Sequence, residues 1–209
     1  MMDDMEARGT GRLAQAVGVV AAGSAVCLAT YYAVQGPFGT INDVANAGAG
    51  VLSAWLALRL RRQIPGRVAE IAVGAALVGA AITVVGSTLV MSGRTGFFLA
   101  GLVSSVGFAG IGAWLVILNR SPEVMAAWPE RLRTLGVAAG ALMAIGIFSA
   151  PGILLRLDDM SQAPAWAWIG SLGWLGTFVV YPAWALWLGT VLARVADREG
   201  PVQRTAVTE

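Results

Sequence analysis

The sequence predicts an all-α membrane bundle of six transmembrane helices, with the N-terminus and the C-terminus both cytoplasmic. Three observations carry this. Of 209 residues, 57% are hydrophobic and only 12% are charged, about half the charged fraction of a soluble domain. The charges gather at the ends of apolar blocks, and each block has about the 20 residues that cross 30 Å of hydrocarbon as a helix. The arginines, finally, fall almost wholly on alternate loops.

The first helix, about 13–34, runs "LAQAVGVVAAGSAVCLATYYAV". Its apolar run exceeds the 7 to 15 residues or so of a signal-peptide core, so it reads as a retained span. The second, about 41–60, follows "GPFG" and ends in "WLALRLRR". The third and fourth, about 68–92 and 97–119, are separated only by "GRTG", a turn that permits nothing but an antiparallel hairpin. After a polar link from Arg120 to Arg133 comes the fifth, about 132–155, and the sixth covers about 165–192. Pro182 lies inside that last run, where its ring removes one backbone hydrogen bond, frees the carbonyl of Phe178 and predicts a kink. All six form one domain over 1–209.

Orientation follows from arginine, because positive charge in short loops stays cytoplasmic. All 14 basic residues are Arg. With the N-terminus inside, Arg8, Arg12, Arg59, Arg61, Arg62, Arg67, Arg120, Arg131, Arg133, Arg194, Arg198 and Arg204 share one side, and only Arg94 and Arg156 face the other. An odd number of spans would scatter them. Spread over two loops and two tails beside apolar helices, they serve topology and give no reason to expect a nucleic-acid partner.

The missing residues close many chemistries. There is no histidine and one cysteine, Cys27. Haem held by His, zinc and copper sites, Ser-His and Cys-His pairs and CxxC redox chemistry all need residues that are absent. Without Lys there is neither a GxxxxGK phosphate loop nor a Schiff base. Cys27, in mid-helix among Ala and Val, reads as packing rather than as a reactive thiol. No cofactor and no metal are expected.

Small residues recur at the spacings that let helices approach closely in lipid. The series are Gly79, Thr83, Ser87 on helix three; Gly101, Ser105, Ala109 on helix four; Gly136, Gly140, Ala144 on helix five; and Gly170, Gly173, Gly176 on helix six. The even-numbered helices end with Trp near Arg, at Trp55, Trp114, Trp184 and Trp187, as an aromatic belt with snorkelling arginines would. On helix six Trp174, Tyr181 and Trp184 share one face. Such a stripe either packs or walls a pocket.

Polar residues enter the apolar blocks chiefly at "GPFGTINDVANAGAG". A helix starting near Ile41 puts Asn42 and Asp43 at the outer edge of the hydrocarbon and Asn46 one turn deeper. Thr40 and Asp43 have the spacing of a capping box, and a carboxylate suits a helix N-terminus. Asn46 needs another explanation, since a polar amide at that depth faces the bundle interior. Asn42, Asp43, Asn46, Trp174 and Tyr181 are therefore the candidate binding residues, against a reading in which they only cap and bond neighbouring helices. Glu70 opens helix three on the opposite side, where it complements a helix N-terminus or a neighbouring Arg.

The stretch "PFGTIND", which opens helix two, and "YPAWALWLG", which closes helix six, resemble bacterial six-helix integral membrane proteins of no assigned activity. The resemblance implies the fold and no mechanism; a chain with one cysteine and no long outer loop fits the cytoplasmic membrane of a bacterium. The leading expectation is a non-enzymatic binding, transport or accessory component working within the bilayer, its partners being membrane lipids and either a small apolar ligand or another membrane protein. The alternative is a membrane-embedded enzyme acting on a lipid or isoprenoid, with Asp43 as general acid or base assisted by Asp158 or Asp159.

Overall fold

A computed structural model describes residues 4–199. Among them every regular element is helical. In order they are α1 (Asp4–Val34), α2 (Phe38–Arg59), α3 (Gly66–Met91), α4 (Phe97–Asn119), a short α5 (Pro122–Ala127), α6 (Glu130–Ala144), α7 (Ala150–Leu154), α8 (Ala167–Leu175) and α9 (Tyr181–Glu199). A 3₁₀ turn, Ile145–Ser149, joins α6 to α7, and a π-helical turn, Gly176–Val180, joins α8 to α9. Five stretches, Met5–Val34, Gly66–Met91, Phe97–Asn119, Glu130–Leu154 and Ala167–Asp197, are long and apolar enough to cross a membrane. The chain is an α-helical membrane protein. Although α2 is 22 residues long, it falls short of that measure because Asn42, Asp43, Asn46 and Arg59 lower its hydropathy.

The long helices pack as a closed ring in which α1 meets α2 and α9, α3 meets α2 and α4, and α6 meets α4 and the α8–α9 segment. The series on helices three, five and six form these seams, but on α4 the close contacts come from Gly107, Gly110 and Gly112 and not from the expected Gly101, Ser105 and Ala109, of which Gly101 and Ser105 face Trp174. A Cβ on Gly107 would strike Thr83 Oγ1 and, at 2.6 Å, the carbonyl of Gly79, so α3 and α4 touch backbone to backbone. Gly112 and Gly140 do the same for α4 and α6, each facing the other's carbonyl at 2.6 Å. The α3–α4 turn closes through Gly93, whose φ of 67° is open to glycine, with Arg94 N–H donating to Leu89 O and Gly93 N–H to Val90 O.

Several boundaries differ from expectation, each for a physical reason. α1 starts at Asp4 and α9 continues to Glu199, because these ends pack on each other: Ala7 and Thr10 are buried, and Arg8 pairs with Asp197 at 3.3 Å. The fifth span is not one continuous α-helix. Pro151 lacks an N–H and its ring would crowd the carbonyl of Ile147, so the preceding turn tightens to 3₁₀. At Pro182 the irregularity takes the form of the π turn that precedes it. Within the link from Arg120 to Arg133, α5 tucks Val124 and Trp128 into the core, and Ser121 Oγ bonds Gln63 O at 2.7 Å. Arg204 lies outside the described residues, as does the side chain of Arg198.

The largest buried side chains lie toward the end where α1 begins and α9 stops. Trp114, Tyr181, Trp184, Leu56, Leu118 and Leu132 are fully buried there. Tyr181 stacks on Trp184 with centroids 5.9 Å apart, and Trp114 and Trp128 approach Trp184 at 6.3 and 6.4 Å.

A polar pocket between α2, α4 and the π turn

α2 begins at Phe38, three residues before Ile41, with Pro37 at its cap position and no side-chain cap. The capping box expected from Thr40 and Asp43 does not form. Both are already inside the helix, since Pro37 presets a helical φ of −74° and starts the helix without a side-chain acceptor. The earlier start also carries Asn46 about 12 Å along the axis at 1.5 Å per residue. The three polar side chains are buried, at 1% exposure for Asn42, 8% for Asp43 and 7% for Asn46.

They line a pocket of about 30 Å³. Ser104 and Ser105 of α4 and Thr177 of the π turn complete its polar lining, and Phe97, Phe108, Trp174 and Phe178 form its apolar wall. Each neighbour holds its place for a local reason. Trp174 Nε1 donates to Ser105 Oγ at 2.8 Å, and Ser105 donates onward to Gly101 O at 2.9 Å, which fixes the indole against α4. Thr177 donates to Gly173 O at 3.0 Å. The π turn widens the helix at Thr177 and Phe178, the two residues it contributes to the pocket.

The asparagines meet α1. Ser24 Oγ lies 2.8 Å from Asn42 Oδ1 and 2.9 Å from Asn46 Oδ1. Sequence reasoning missed Ser24 as a partner, although "AAGSAVC" shows it as a polar residue in an apolar helix. Asp43 differs from both asparagines: its carboxylate accepts no hydrogen bond from any described residue, and it is the one titratable side chain lining the pocket.

The other candidate residues go elsewhere. Tyr181 is not in the pocket; its hydroxyl meets Ser53 Oγ at 2.8 Å inside the core. Trp184 Nε1 donates to Asn119 Oδ1 at 3.3 Å. The π turn between Trp174 and Tyr181 breaks the regular spacing that put them on one face, so one indole walls the pocket and the next two rings pack. Asp158 caps α4, accepting from Gly96 N–H at 2.6 Å and Leu99 N–H at 3.2 Å. Asp159 turns back on its own loop, where the Ser161 hydroxyl and backbone N–H hold its carboxyl below the ordinary carboxylate range. Neither lines the pocket with Asp43. Glu70 pairs with Arg61 at 3.4 Å on the exposed surface, a neighbouring arginine as expected. Cys27 is half-buried and unpaired with another cysteine.

Chemically the site offers one carboxylate, two amides and three hydroxyls in an apolar surround, with no nucleophile activated by a base. Among the described residues no three His, Cys, Asp or Glu side chains converge. No family model, curated protein or solved structure matches the chain.

Proposed function

We propose that the protein is a non-enzymatic membrane component that binds a small polar ligand in the pocket around Asp43. Its six long helices span the membrane, α2 included, with both termini on the arginine-rich cytoplasmic side of a bacterial membrane. The observation that carries this reading is the unpartnered Asp43 carboxylate, 8% exposed and facing a polar pocket. An uncompensated buried charge costs stability, and a fold retains such a group where something other than folding needs it.

Size and polarity narrow the ligand: a small, partly open pocket of about 30 Å³ with six polar side chains in its lining suits a small polar ligand better than a lipid tail or an isoprenoid. The acid–base alternative also loses its second acid, because Asp158 and Asp159 are engaged with backbone N–H groups away from the pocket. For α2, its place between α1 and α3 supports a span, since a helix inside the ring shares its neighbours' depth.

Cysteine labelling tests the reading. In a Cys27→Ala background, Thr177→Cys should react with methyl methanethiosulfonate in lipid nanodiscs, while Ser53→Cys, buried in the core and lining no pocket, should not. Equal protection of both thiols would make the polar face architecture.

A further inference from the structure

The polar groups of the pocket do not balance. One hydroxyl, Ser24 Oγ, faces two amide oxygens, Asn42 Oδ1 at 2.8 Å and Asn46 Oδ1 at 2.9 Å. A hydroxyl carries one proton and donates to one of them. The other amide oxygen is left without a proton. With the Asp43 carboxylate and the Ser104 hydroxyl oxygen it gives the pocket lining three acceptor groups, and no arginine lines it.

Charge and softness narrow the choice. One carboxylate neutralises one positive charge, and a divalent ion would leave a net charge in a low-dielectric site. The donors are all oxygen, with neither sulfur nor imidazole, which excludes the softer transition metals.

We propose that the pocket binds a single monovalent alkali cation, Na⁺ or K⁺, on the Asp43 carboxylate and one asparagine carbonyl. This rests on the reading of the pocket as a ligand site and departs from the sequence-based expectation that the chain holds no metal ion. The bound ion neutralises Asp43 without a protein counter-charge.

The experiment compares the labelling rate of the Cys27→Ala/Thr177→Cys protein in nanodiscs at equal ionic strength in choline, sodium, potassium and magnesium chloride. Na⁺ or K⁺ should slow the reaction saturably, by about 11-fold at ten times Kd, and Asp43→Asn should abolish the slowing. The melting temperature of the wild-type chain should rise with the same ion at the same half-saturation, a readout that depends on neither variant. Equal rates and a constant melting temperature in all four salts overturn the cation, as does an effect of magnesium alone or of pH alone. In those cases a thiol that still reacts leaves the pocket reading intact. A thiol that reacts in no salt overturns both.

Discussion

Tyr181 and Trp174 stand on one helical run, each with a single polar atom, and serve different ends. Because Ser53 donates to Ala49 O at 2.6 Å, the Tyr181 hydroxyl donates to Ser53 Oγ. Tyr181→Phe removes that bond and leaves Ser53 satisfied, so it should cost about 1 kcal/mol, the net worth of an ordinary hydrogen bond. Thermal melting in detergent reads it, and a loss several times larger would mean that the hydroxyl holds something further. At this scale the sequence told part of the story. Asn42, Asp43 and Asn46 stood out because polar residues in an apolar block are few, and Trp174 because its helix is dense in aromatics. Ser24, Ser104 and Thr177 did not stand out, since single hydroxyls are common in membrane helices, where each can bond its own backbone, as Thr177 does with Gly173 O.

Among the elements, the α3–α4 crossing is the tightest contact and gives a matched pair of substitutions. Gly107→Ala places a methyl against Thr83 Oγ1 and the Gly79 carbonyl, so the helices must separate; overpacking of this kind costs about 1–3 kcal/mol. Gly74, on the same α3, has nothing within 4 Å of its would-be Cβ, and Gly74→Ala should stay within about 0.5 kcal/mol of wild type. Equal melting temperatures for the two variants would contradict the seam. Spacing of small residues revealed the α3 side of this seam through Gly79 and Thr83 but pointed to the wrong residues of α4, where Gly107 and Gly110 make the contact and not Gly101 and Ser105. Such spacing is informative because lipid supplies no hydrophobic drive and close approach must do the holding. Helix faces were harder to assign. A span that is apolar all round shows no stripe to mark its inward side, and so the sequence left open which residues share a pocket. The two proline-linked irregularities differ in a way propensity does not encode, since Pro151 follows a 3₁₀ turn and Pro182 a π turn.

At the scale of the molecule, five of the six expected spans were legible from block length, and α2 is the one that falls short because its polar cluster dilutes its hydropathy. If α2 spans and the termini are inside, Ser92→Cys in the α3–α4 turn should react with an impermeant thiol reagent added to intact cells. Gln63→Cys, between α2 and α3, should react only after permeabilisation, and the reverse pattern would invert the topology. The largest buried side chains lie near the start of α1 and the end of α9 and the polar pocket toward the opposite end, so the fold is held at one end and leaves a small polar space at the other. The central claim is that Asp43 is kept for a ligand and not for the fold. The most direct measurement is the melting temperature of Asp43→Asn against wild type, in choline buffer free of sodium and potassium, at neutral pH. A temperature equal to or above wild type is the expected result, because the substitution removes a buried charge that no side chain compensates. A fall of several degrees would contradict it and make the carboxylate part of the architecture.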